Sequence, residues 1–227
     1  MDDITDVTVT PCSNSRYIKP LRMHYHQFFM ALVHTTNNGS KKIWDAMKVH
    51  DSVAVLVFNK TRNVFIFVKQ FRPAIYLCKS ELTKQDSTSD IQHIDSTKYP
   101  GQIGITYELC AGIVDKDTGV NVIAQGEVLE ECGYQVPLDN LEKVTTYRSG
   151  VGTTGSLQTF YYAEVTDKMK VGYGGGVAEE GEMIDVIEVP VADGMKFVMD
   201  ESINKPVGMI FAIYWFFANK WKLYEKS

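Results

Sequence analysis

Apolar and polar positions change their spacing several times along the chain, and each change marks an element. Ser52–Phe58 and Asn63–Lys69 are dense in Val, Ile and Phe and are joined by the polar Asn59–Arg62, the signature of a β-hairpin. Looser alternation predicts strands over Arg16–Gln27 and Lys41–Lys48. The apolar Phe28–His34 between them extends a hairpin or forms an exposed insertion. Leu77–Gln102 is rich in Ser, Thr, Asp and Lys and reads as one long loop. Ile105–Cys110 follows as a strand running straight into Ala111-Gly112. From about Asn121 to Cys132 the period becomes helical, with Ala124, Val128 and Cys132 on one face and Gly133 suited to the left-handed position past a helix end. Strands recur at Glu142–Tyr147, Gln158–Val165 and Ile184–Val189, and helices near Val191–Met199 and Pro206–Trp221 close the chain. Strands mixed with few helices make this α+β.

Composition adds limits. At 227 residues with 44% hydrophobic and 11% aromatic content, the chain has the makeup of a packed globular protein. Its formal net charge of −5 argues against a broad electrostatic grip on nucleic acid. Cys12, Cys78, Cys110 and Cys132 are too scattered for a C-x-x-C zinc site, so reduced thiols in the cytoplasm are expected. The Met1-Asp2-Asp3 start shows no secretory pattern. Val207–Asn219 is very apolar but shorter than the roughly 20 residues that span a bilayer, so a buried or dimer-facing helix is expected, with no membrane partner.

Chemistry concentrates in the central helix. Glu127, Glu130 and Glu131 lie three and four residues apart or adjacent, on one side of a helix, where like charges repel by roughly 0.2–0.5 kcal/mol per pair. Taken alone, they are a solvated acidic face or a site for a divalent ion, and magnesium is held by a few carboxylates together with substrate phosphates.

Register decides between those readings. Gly112, Glu127, Val128, Glu130, Glu131 and Gly133 resemble the Nudix box, the signature of the Nudix hydrolases. Three positions depart from it. Thr118 stands where the first Glu belongs, Gly126 where an Arg belongs, and Tyr134 replaces an aliphatic residue. Val68-Lys69-Gln70-Phe71-Arg72-Pro73 and Gly181-Glu182-Met183-Ile184-Asp185-Val186 resemble segments flanking the box in the ADP-ribose and nucleotide-sugar pyrophosphatases. Trp44-Asp45, His50-Asp51-Ser52-Val53, Glu108-Leu109-Cys110-Ala111-Gly112 and Ser149-Gly150-Val151-Gly152 are most like the UDP-sugar pyrophosphatase branch. Gly150 stands where ADP-ribose hydrolases of the family often carry proline, which favours a UDP-sugar.

The resemblance implies a Nudix α/β/α sandwich with a mixed sheet over 51–227, and a small antiparallel sheet within 1–50 that builds a homodimer. It implies Mg2+, with Mn2+ as the alternative ion, held by Glu127, Glu130, Glu131, Glu182 and the main-chain carbonyl of Ala111. Glu182, with Glu180 as the competing choice, serves as a further metal ligand or as the general base. Substrate contacts are implied at Trp44, Arg72, Ile113, Arg148 and Gly150. Trp44 stacks on uracil or packs in the core, and Arg72 pairs with phosphate or forms a surface ion pair. Gly174–Gly176 is a hinge that closes the Glu182 loop, or a passive linker. The implied reaction is magnesium-dependent hydrolysis of UDP-glucose to UMP and glucose 1-phosphate. ADP-ribose hydrolysis and a nucleotide-sugar binding protein without catalysis stand as alternatives.

Overall fold

The computed structural model describes residues 2–15, 17–27, 40–84 and 90–224; the side chain of Glu180 and the segment Phe28–His34 lie outside the described residues. In chain order it forms β1 (Val7–Val9), β2 (Lys19–Gln27), β3 (Ser40–Lys48), β4 (Ser52–Asn59), β5 (Val64–Phe71), α1 (Pro73–Lys79), β6 (Gln92–Ile94), β7 (Ile105–Glu108) and β8 (Cys110–Ile113). There follow α2 (Val120–Cys132), β9 (Leu141–Ser149), β10 (Ser156–Val165), β11 (Ile184–Pro190), α3 (Val191–Met199) and α4 (Val207–Asn219).

The central sheet runs β11-β5-β4-β10-β9, with β10 parallel to β4 and the other pairs antiparallel. β4 and β5 pair only from Val57–Ile66 to Asn59–Val64, beside their turn. Beyond that they part, and β7 and β8 fill the gap. β7 pairs with β5, whereas β8 pairs with β4. The expected single strand over Ile105–Cys110 is therefore two. It breaks at Leu109, whose side chain goes to one core while Cys110 goes to the other.

Alternation along β4 explains the layers. Val53, Val55 and Val57 face α2 through Ile123, Ala124, Val128 and Cys132. Ala54, Leu56 and Phe58 face α3 and α4 through Val198, Met209, Ala212, Ile213 and Phe216. Both sheet faces are thus covered, which is why β4 reads as a continuous apolar run rather than an alternating one. The ring of Phe216 lies 4.9 Å from that of Phe58 and 4.8 Å from that of Phe65, so α4 is a core helix along that face. The α/β/α sandwich with a mixed sheet and small antiparallel sheets is the expected class.

Leu77–Gln102 is not one loop. It contains the end of α1 and also β6, which pairs antiparallel with β1. Three-residue strands carry too little pattern to be read from sequence. β2 and β3 form a separate two-stranded ribbon in full register from Lys19–Lys48 to Gln27–Ser40.

Candidate active site

The break between β7 and β8 sets the site. Gly112 of β8 lies under α2 so closely that a Cβ there would meet the Glu127 Oε1 at 1.9 Å. Only glycine lets the Glu127 side chain cross the strand at that point. One residue earlier, the Ala111 N–H donates to Glu131 Oε2 at 2.9 Å instead of joining the β4 ladder. A strand residue turns its N–H and C=O to the same side, so the Ala111 carbonyl also faces away from β4. Glu131 is buried, with 3% exposure. The three glutamates therefore do not share one solvated face: Glu131 is tucked against β8, whereas Glu130 is exposed.

Two departures from the box now have physical readings. Glu127 makes no hydrogen bond among the described residues; with Gly126 before it in place of the box arginine, its side chain packs across Gly112. Tyr134 is fully buried, and its hydroxyl accepts from Arg62 Nη2 at 2.8 Å and Asn59 Nδ2 at 3.2 Å. That ties the end of the box to the β4–β5 turn, which an aliphatic residue cannot do.

The glycine run is hydrogen-bonded to the end of α2. The last carbonyls of a helix lack partners within it. Here Gly133 N–H takes that of Leu129, Gly175 N–H that of Glu131 and Gly176 N–H that of Glu130. A Cβ on Gly174 would meet the Glu131 carbonyl oxygen at 2.2 Å, and the backbone there has φ +75. The run is a strap fastened to the C-terminal end of α2. It also delivers Glu182, whose Oε2 accepts from the Val177 N–H at 2.9 Å and whose side chain occupies the space a Cβ on Gly176 would need.

Glu127, Glu130, Glu131 and Glu182 line one cleft of about 530 Å³ together with Ala111, Gly112, Ile113 and Arg72. Arg72 follows β5 directly and makes a two-pronged ion pair with Glu108, Nε to Oε1 and Nη2 to Oε2, both at 2.8 Å. Burial, then the charges of Glu130 and Glu182, pushes the Glu127 carboxyl up to about 7. Burial pushes Glu131 up to about 8, against the Ala111 hydrogen bond. These are carboxylates short of positive charge, which a divalent cation supplies. Among the described residues no three of them close into a ready coordination cage. Magnesium does not need one, since it keeps several waters and takes one or two carboxylates with substrate phosphates. The donor set fits such an ion.

Three expected contacts lie outside the cleft lining. Trp44 sits on the β2–β3 ribbon and donates from Nε1 to the Gly152 carbonyl at 3.1 Å. Arg148 Nη1 donates to the Gly155 carbonyl at 3.0 Å, and Gly150, at φ +56, starts that same turn. Sequence reasoning missed Glu108, Lys116 and Gln158, which do line the cleft. Glu108 opens the run Glu108-Leu109-Cys110-Ala111-Gly112, whose likeness to the UDP-sugar branch and proximity to Gly112 were its signals.

Across 96% of each chain, the sequence is 43% identical to the uridine diphosphate glucose pyrophosphatase of Bos taurus and 42% identical to that of Mus musculus. It is 27% identical to the GDP-mannose pyrophosphatase of Pectobacterium atrosepticum over 79% of each chain. No family model matches the chain.

Proposed function

The chain belongs to the Nudix hydrolase family, and from that membership we propose that it hydrolyses the diphosphate bond of a UDP-sugar, UDP-glucose to UMP and glucose 1-phosphate. Near-full-length identity to uridine diphosphate glucose pyrophosphatases carries this reading, and the carboxylate-lined cleft supports it.

In the proposed mechanism Glu127, Glu131, Glu130 and the Ala111 carbonyl would hold Mg2+. Bound there, the ion supplies neutralisation of phosphate oxygens and acidification of water. Arg72 holds a phosphate group, since three of its five N–H groups have no partner among the described residues. Glu182 accepts the proton of the attacking water, with Glu180 the competing base. Ile113, exposed at the cleft wall, contacts the substrate. Water adds to phosphorus, the anhydride P–O bond breaks, and the leaving phosphate departs as the monoester.

Incubation of the protein with UDP-glucose and magnesium, followed by product separation, should yield UMP and glucose 1-phosphate, and their absence at high enzyme concentration overturns the assignment. Ranking kcat/KM for UDP-glucose, GDP-mannose and ADP-ribose fixes the substrate. A chelator should abolish turnover, with Mg2+ or Mn2+ restoring it. We also propose a homodimer and a cytoplasmic location. Among the described residues no helix is long and apolar enough to cross a membrane. In the dimer reading Trp44, on the N-terminal ribbon, stacks on the uracil of the partner's site, and Arg148 is a sugar or phosphate contact.

A further inference from the structure

We infer that Glu108 is the positioning residue that orients Arg72 for the substrate diphosphate, an inference that rests on the proposed phosphate contact of Arg72. A guanidinium has two edges that present paired N–H groups. Glu108 occupies the edge formed by Nε and Nη2, with both bonds at 2.8 Å. One N–H of Nη1 and the second of Nη2 form the other edge, and Arg72 lies in the cleft wall. A bidentate acceptor on the first edge fixes the plane of the group, so the second edge is aimed before substrate arrives. That lowers the cost of ordering a long side chain on binding.

Glu108 is itself held. Its Oε1 accepts from Thr106 Oγ1 at 2.6 Å, and Thr106 is buried with 4% exposure. The Thr106 backbone lies in β7, paired with Gln70 of β5 two residues before Arg72. Support therefore runs from the strand through Thr106 and Glu108 to Arg72. The Glu108 side chain is 14% exposed and the Arg72 side chain 44%, so the less exposed member anchors the more accessible one. Both Glu108 oxygens are thus engaged, Oε1 by Arg72 and Thr106 and Oε2 by Arg72. Nearby Ala111 joins the cleft through the main chain, whereas Glu108 acts only through the guanidinium.

A double-mutant cycle with UDP-glucose and magnesium tests this, with thermal melting as a check on folding. Arg72→Ala should raise KM about tenfold or more. Glu108→Gln, which offers an amide N–H to the donor fork, should raise KM by a similar factor. The double variant should be no worse than Arg72→Ala alone, because Glu108 has nothing left to orient. Thr106→Val should raise KM less, and Thr106→Ser should restore it, a rescue that a packing role would not predict. Unchanged kinetics in Arg72→Ala overturns the phosphate contact and the inference together. An impaired Arg72→Ala beside an unimpaired or fully additive Glu108→Gln overturns the positioning role alone. Should Glu108→Gln fail to fold, an unchanged KM in Thr106→Val overturns it instead.

Discussion

Glu131 shows what a residue's type conceals. Its place in the box was readable from the spacing to Gly112 and Gly133, but its burial was not, because helical spacing alone leaves an adjacent pair of glutamates on the solvent side. In the fold Glu130 is exposed and Glu131 is buried against Ala111. The consequence is a pH effect whose sign can be worked out. Without metal the Glu131 carboxyl keeps its proton in the folded chain up to about 8, while the unfolded chain releases it near the ordinary 4.5. The group therefore favours folding below that ordinary value and loses this contribution as pH rises through about 8. In chelator, Glu131→Gln should gain melting temperature relative to the parent as pH rises from about 4.5 to about 8, with the gain level above that. A difference that stays flat with pH argues that the proton is not held there. With magnesium the same substitution should cost turnover about two orders of magnitude or more while leaving the fold intact. Unchanged turnover removes Glu131 from the ligand set.

At the scale of elements, the central helix and the long strands β4, β5, β9, β10 and β11 were legible, because each carries enough residues to show a period. The strap was not. Gly174–Gly176 reads locally as slack, and only the open carbonyls at the end of α2 give its N–H groups and positive φ angles a purpose. Gly174→Ala places a methyl group against the Glu131 carbonyl and a side chain at φ +75, so it should cost about 1–3 kcal/mol and impair turnover through Glu182. Chemical denaturation and the UDP-glucose assay read the two effects. Gly126 is the opposite case. A Cβ there meets only Glu130 Oε1, at 3.8 Å. Gly126→Ala should stabilise α2 by about 0.5–1 kcal/mol with turnover unchanged. A loss of stability would mean that the missing box arginine leaves a gap serving some other contact.

At the scale of the molecule, the α+β class followed from the pattern and the layered sandwich from the family resemblance, whereas the splay of β4 from β5 followed from neither. Partner exchange between β7 and β8 depends on contacts far apart in sequence, and nothing in Ile105–Cys110 marks the break except its place before Ala111-Gly112. The same limit applies to the β2–β3 ribbon, whose strands were readable but whose purpose lies outside them. A lone two-stranded ribbon is marginal in water. This one exposes Leu21, Met23, Ile43 and Trp44, each by more than half. Its contacts to the rest of the chain include Trp44 to Gly152 and Met47 N–H to the Thr153 carbonyl. Met23 and Trp44 are cross-strand partners in its register, so they share one face. Apolar side chains on such a face fit burial against a second copy. Light scattering should therefore give a dimer mass, and Met23→Asp combined with Trp44→Asp should shift it to monomer. If the dimer completes each site, kcat/KM for UDP-glucose should fall in that variant by roughly tenfold or more, while its melting transition remains cooperative. A parent that is monomeric at assay concentrations and fully active would leave the ribbon without a role in catalysis.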